Sequence, residues 1–246
     1  MTEIQATWIK VPNGDLQIDA YWAEPIGDGP FPAVIVIQEI FGVNAHIRDV
    51  TDRIAREGYV AIAPAIYQRT APGFEVGYTD EAMAEGRKYK EMTTAAELLS
   101  DLQATIAVLQ AHPKVKGDRL GTIGFCFGGH VVYLAATIPA IAATASFYGA
   151  GIATLTPGGG PPTITRTPDI QGTLYAFFGT EDPLIPKEQA DAVATALQQH
   201  QIDHQVFRYA GATHGFFCDR RDSYDPKAAA DAWEKVKMLY QTRLNA

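Results

Sequence analysis

The amino-acid sequence predicts an α/β protein: one domain over residues 1–246, built on a doubly wound, mostly parallel sheet with helices on both faces. Three observations predict it. Short apolar runs lack the alternation of a half-exposed strand, segments of helical period separate them, and glycine or proline marks the joints.

In order along the chain, residues 6–11 and 16–22 read as a β-hairpin around Pro12-Asn13-Gly14-Asp15, where Asn-Gly supplies the positive φ of a tight turn. Residues 33–37, all apolar, read as a strand buried on both faces. Residues 45–57 have helical period and stop at Gly58; residues 59–63 form the next buried run, ended by Pro64. After a loop over 66–80, residues 81–92 and 94–112 read as helices, the second closed by His112-Pro113. Then come strand 120–125, helix 128–137, strand 141–147, strand 174–178, helix 186–199 and strand 204–209. Asp225-Pro226 provides N-cap and first turn for a last helix over 226–244. The tract Pro157-Gly158-Gly159-Gly160-Pro161-Pro162 lacks the Lys-Ser/Thr of a phosphate-binding loop and reads as a surface loop.

Composition narrows the function classes. A net charge of −8 disfavours nucleic acid and anionic membrane as partners. No run approaches the roughly 20 apolar residues of a membrane span, and Met1–Gln5 opens no signal peptide. Two cysteines, Cys126 and Cys218, build no disulfide framework, so a reducing cytoplasm is the expected location. A small molecule is the expected partner, and the chain is expected as a monomer or weak homodimer. No His/Cys/carboxylate set has metal-ligand spacing, so neither metal nor cofactor is expected.

Gly124-Phe125-Cys126-Phe127-Gly128 fits the small-x-nucleophile-x-small pattern of a nucleophile elbow, which points to an α/β-hydrolase fold. The strand must reverse into a helix within a residue or two, and the glycines remove side chains that would collide. The turn aims Cys126 at the cleft from a helix N-terminus, whose positive end favours a thiolate, and frees the Phe127 N–H to hold an oxyanion. An inert buried cysteine is the competing reading. The dinucleotide-binding GxGxxG spacing is absent.

Hydrolases of this fold order their triad nucleophile, acid, histidine. Asp182, in Gly179-Thr180-Glu181-Asp182-Pro183, and His214, in Gly211-Ala212-Thr213-His214-Gly215, each follow an apolar strand and stand in that order. Asp182 would orient the imidazole, and His214 would exchange protons with sulfur and leaving group. Glu181 is the rival acid, and a turn aspartate with a loop histidine is the structural alternative. His130, on the elbow helix, reads as a packing or surface residue.

These residues resemble the dienelactone hydrolases, also called carboxymethylenebutenolidases. The resemblance runs from about Pro32 to the final helix. It rests on Val36-Ile37-Gln38-Glu39-Ile40-Phe41-Gly42, His46-Ile47-Arg48-Asp49, the cysteine elbow and the Asp182 and His214 loops. It implies a Cys126–His214–Asp182 triad, a Glu39 that helps generate the thiolate when substrate arrives, and an Ile40 N–H that completes the oxyanion hole. The activity implied is opening of a lactone or small ester through an acyl-enzyme. Two departures concern the substrate. The family's dienelactone-binding arginine, four residues after the histidine, is replaced by Cys218, with Arg220 and Arg221 close behind. Its second arginine has no secure counterpart: Arg87 lies in the right region, but so do Lys88 and Lys90, and all three read first as a solvated helix face. A non-catalytic binding module and a thiol-redox protein using Cys126 and Cys218 are the alternative functions.

Overall fold

The computed structural model describes residues 2–245. Eight strands form one sheet: β1 (Ile4–Asn13), β2 (Leu16–Pro25), β3 (Phe31–Ile37), β4 (Val60–Pro64), β5 (Val115–Phe125), β6 (Ile141–Phe147), β7 (Thr173–Gly179) and β8 (His204–Tyr209). Their spatial order is β1-β2-β4-β3-β5-β6-β7-β8. The β1/β2 and β2/β4 pairs are antiparallel, and every pair from β4/β3 to β7/β8 is parallel. The helices are α1 (Ala45–Arg56), α2 (Asp80–Glu91), α3 (Ala95–Ala111), α4 (Phe127–Ala135), α5 (Lys187–Gln199) and α6 (Pro226–Leu244), with a short 3-10 helix over Thr163–Asp169.

The period of two in β3 explains both layers. Val34 and Val36 join one core with Ile47, Val50 and Ile54 of α1 and Val236, Leu239 and Tyr240 of α6. Ala33, Ile35 and Ile37 join the other, with Leu98, Leu102 and Ile106 of α3 and Val131 and Val132 of α4. A strand that feeds two cores has no solvent face, which is why its sequence does not alternate. Among the described residues no helix is long and apolar enough to cross a membrane.

Local chemistry sets the boundaries. The Asn44 carboxamide accepts from the His46 and Ile47 amides and caps α1, and Gly58 (φ +97°) turns the chain out of it. Asp225 caps α6 in the same way, with Pro226 in its first turn. The hairpin is longer than 6–22, and Gly14 (φ +60°), not Asn13, carries its positive φ. Asn13 ends β1, and its side chain donates to Ser100 and Asp101 on α3. Strand β5 starts at Val115 rather than 120, because Val115 and Lys116 pair with Phe31 and Pro32 before a register shift across the polar Gly117–Arg119 stretch.

Candidate active site

The carboxyl ends of β3, β5, β7 and β8 carry, in turn, Glu39, Cys126, Asp182 and His214, the edge where open α/β sheets bind ligands. Cys126 stands between β5 and α4 at φ 55°, ψ −114°, a conformation L-residues rarely adopt. Close packing imposes it. A Cβ on Gly124 would lie 2.1 Å from the Gly128 carbonyl oxygen, and one on Gly128 would lie 2.4 Å from the Ile37 and Gln38 carbonyl oxygens. The two glycines of the elbow thus let α4 rest on the end of β3. Among the described residues the amides of Phe127 and Ile40 donate to no backbone carbonyl, which leaves them open to a ligand.

His214 Nδ1 lies 2.7 Å from Asp182 Oδ2, both side chains buried. The other oxygen, Oδ1, accepts from the Leu184 amide at 2.8 Å, so both carboxylate oxygens are engaged. Glu181 is exposed, and its amide ties the loop to the Ala212 carbonyl; of the two acids, Asp182 meets the histidine. Among the described residues His214 Nε2 is buried without a hydrogen-bond partner, and the Cys126 sulfur, which lines the same cavity, is near enough to act on the imidazole electrostatically. Burial works against the imidazolium, but the Cys126 sulfur and the Asp182 carboxylate outweigh it and raise the His214 pKa to about 10.

Glu39 is 1% exposed. Arg221 Nη1 donates to its Oε1 at 3.1 Å, while Oε2 has no partner. Burial raises its pKa above the ordinary carboxylate value, against the lowering effect of Arg221 and His214. In sequence Arg221 stands only beside Arg220, and the fold separates the two. Turns joining Cys218 N–H to Gly215 O and Arg221 N–H to Cys218 O fold Arg221 back, while Arg220 stays exposed and outside the cavity. Arg221 lies over the rings of Phe41 and Tyr78, and Gly215 makes room: a Cβ there would sit 2.6 Å from the guanidinium.

Cys218 is not at the site's surface either. Fully buried, its thiol donates to the Tyr78 hydroxyl at 3.3 Å and is pushed up to about 11 by burial and Glu39. Arg87 does reach the cavity, beside Lys90 and Arg221. That cavity, about 80 Å³, has Ile40, Phe41 and Phe127 as its apolar wall and Cys126 and His214 at its base. A larger hollow of about 390 Å³ beside Trp22, Glu24 and His112 has no cysteine and no acid–histidine pair in its lining, so chemistry rather than size marks the smaller one. His130 is buried and bonded to Ala150 O and Thr163 Oγ1, which makes it a packing residue.

The fold does gather one set of donors that sequence spacing hides: ligand atoms of Glu39, His46 and Cys218 lie within 4.8 Å of one another. Burial and the charges of Arg53, Arg220 and Arg221 hold His46 down at about 3, and surroundings of that sign oppose a dication.

The dienelactone hydrolase family model matches residues 18–244. The chain belongs to that family. A candidate carboxymethylenebutenolidase of Synechocystis sp. is 61% identical over 242 residues, 98% of each chain. A 2-oxo-3-(5-oxofuran-2-ylidene)propanoate lactonase, so named with reservation, from Bradyrhizobium sp. is 33% identical over 98% of this chain and 96% of its own. The crystal structure of a candidate dienelactone hydrolase from Klebsiella pneumoniae superposes with a TM-score of 0.87 at 31% identity, covering 97% of this chain and 98% of that one. As a dienelactone hydrolase-family member with the α/β-hydrolase fold, the protein is a hydrolase acting on lactone or ester bonds.

Proposed function

We propose that the protein opens small enol lactones that carry a carboxylate, through a thioester on Cys126. The observation that carries this reading is the buried His214–Asp182 pair, whose unpartnered Nε2 shares one cavity with a cysteine on a strained elbow. Three cations at one small cavity, Arg87, Lys90 and Arg221, support an anionic substrate.

In the proposed cycle the substrate carboxylate engages Arg221 and frees Glu39, whose Oε2 takes the Cys126 proton. The thiolate attacks the lactone carbonyl carbon, and the oxyanion accepts from the Ile40 and Phe127 amides. Collapse breaks the ring C–O bond, and the enolate leaves with the Nε2 proton of the His214 imidazolium. Neutral His214 then takes a proton from water, and the hydroxide attacks the thioester carbon. The C–S bond breaks, and sulfur recovers its proton from Glu39. A thiolate is itself a good leaving group, so an alkoxide ester reverts from the first adduct, whereas an enolate departs. Enol lactones and aryl esters are therefore the expected substrates.

The test is hydrolysis of an enol lactone and of p-nitrophenyl acetate by wild type, Cys126→Ala and Cys218→Ala, with mass spectrometry of the quenched protein. A mass adduct on Cys126 and loss of activity only in Cys126→Ala support the reading. Equal rates in wild type and Cys126→Ala sink it. Equal losses in both variants favour a redox pair, a function that the buried Cys218 thiol argues against.

A further inference from the structure

Tyr148 follows β6 directly and has φ +36°, the left-handed region, where a bulky aromatic residue is an outlier. Its surroundings hold it there. Its amide donates to Phe177 O at 2.8 Å, and the preceding carbonyl, Phe147 O, accepts from the Cys126 amide at 3.1 Å. The ring packs edge-on against His214 and Phe216, at 5.0 and 5.3 Å between centroids. Packing of that kind asks only for phenylalanine. The tyrosine instead buries a hydroxyl, fully inaccessible and without a hydrogen-bond partner. Such a group is costly unless a partner reaches it in another state.

The groups around that hydroxyl name the partner. Glu39, Cys218, Arg221 and Cys126 all act on it electrostatically. Arg221 only donates, and the Cys218 sulfur is occupied with Tyr78. Of the two acceptors that remain, the Cys126 sulfur is only half-buried, whereas Glu39 Oε2 is a buried oxygen without a hydrogen-bond partner among the described residues, the Tyr78 hydroxyl acting on that carboxylate as well. A donor and an acceptor, both orphaned and both buried at one site, complement each other.

We propose that Tyr148 is a positioning residue whose hydroxyl donates to the Glu39 carboxylate as Glu39 leaves Arg221, holding it as an anion against Cys126. The proposal rests on the reading that Glu39 takes the Cys126 proton. The other titratable and charged groups facing Glu39 are Arg221, His214, Tyr78, His46 and Cys218. His46 stays neutral and Cys218 stays a thiol through the neutral range, so neither supplies the acid limb described next.

Tyr148→Phe keeps the ring packing and removes the donor. Two pH profiles test it: kcat for an enol lactone, and the rate of Cys126 alkylation by iodoacetamide, which needs no substrate. A lost hydrogen bond to a carboxylate shifts its titration by about one pH unit. The acid limb of both profiles is therefore expected about one unit higher, with kcat near the limb down roughly tenfold and KM nearly unchanged. In a Glu39→Gln background the same change should move nothing. An unmoved limb in Tyr148→Phe overturns the proposal, as does a limb that still moves in the Glu39→Gln background. A merely structural tyrosine would lower Tm and leave both limbs in place. Failure of the thioester reading is separate, since it appears as activity retained in Cys126→Ala.

Discussion

Arg221→Met removes the one guanidinium bonded to a carboxylate that is 1% exposed, while Arg221 itself has a side chain only 18% exposed. Solvent screens such a pair little, and breaking a buried ion pair from one side costs about 3–5 kcal/mol. Protonation of Glu39 sets a ceiling, so about 3 kcal/mol is expected at pH 8. For a chain of this size that is a fall in Tm of roughly 6–12 °C. The sign with pH follows from Glu39, whose folded pKa lies above the ordinary value near 4.5. Below that value the carboxyl is neutral in both folded and unfolded states, and the lost pair costs nothing through charge. As pH rises through the folded pKa, the unpaired anion must form in the core, and the cost grows. Urea unfolding of wild type, Arg221→Met, Glu39→Gln and the double variant, at pH 5 and pH 8, measures it. A loss that is equal at both pH values, or that persists undiminished in the Glu39→Gln background, refutes the electrostatic account.

Asp182→Asn keeps the shape of the dyad but cannot stabilise the imidazolium, and kcat is expected to fall by about 10³–10⁴; a loss below tenfold in stopped-flow hydrolysis contradicts the role. The same variant tests stability. With the His214 pKa raised to about 10, its stabilising contribution is complete below about 6.5 and is lost as pH rises from there through 10, so the alkaline decline in Tm should flatten in Asp182→Asn. Arg87→Met is expected to raise KM for a carboxylate-bearing lactone by about tenfold or more, one charge-assisted hydrogen bond, and to leave p-nitrophenyl acetate nearly unaffected. Equal changes for both substrates would remove Arg87 from substrate binding. Gly128→Ala puts a methyl group 2.4 Å from two carbonyl oxygens and is expected to destabilise by about 1–3 kcal/mol, read as a lowered urea midpoint.

The layered sheet was legible because β3, β4 and β7 are apolar on both faces, a pattern few structures other than a covered parallel sheet produce. Residues carried by a tight turn were legible for a related reason: Cys126, Asp182 and His214 each sit within a few residues of a strand end, so chain order nearly determines their positions. Arg221 was not, because six residues and two successive turns separate it from His214, and only those turns decide that it folds inward while Arg220 faces water. Cys218 misled for the same reason, since its spacing from the histidine promised a cavity position that the turn denies it. Tyr148 gave no signal at all. A tyrosine after an apolar strand is ordinary, and neither its left-handed backbone nor its unpartnered hydroxyl is written in local sequence.

The contact between Gly215 and the Arg221 guanidinium works as a sorting rule for relatives. A methyl group at the position after the histidine would lie 2.6 Å from the guanidinium, so a homologue with a side chain there must move an arginine standing seven places after the histidine away from this seat. The two positions therefore form a paired tag, readable without a structure. It separates chains that grip the buried glutamate as this one does from chains that must recruit a cation elsewhere.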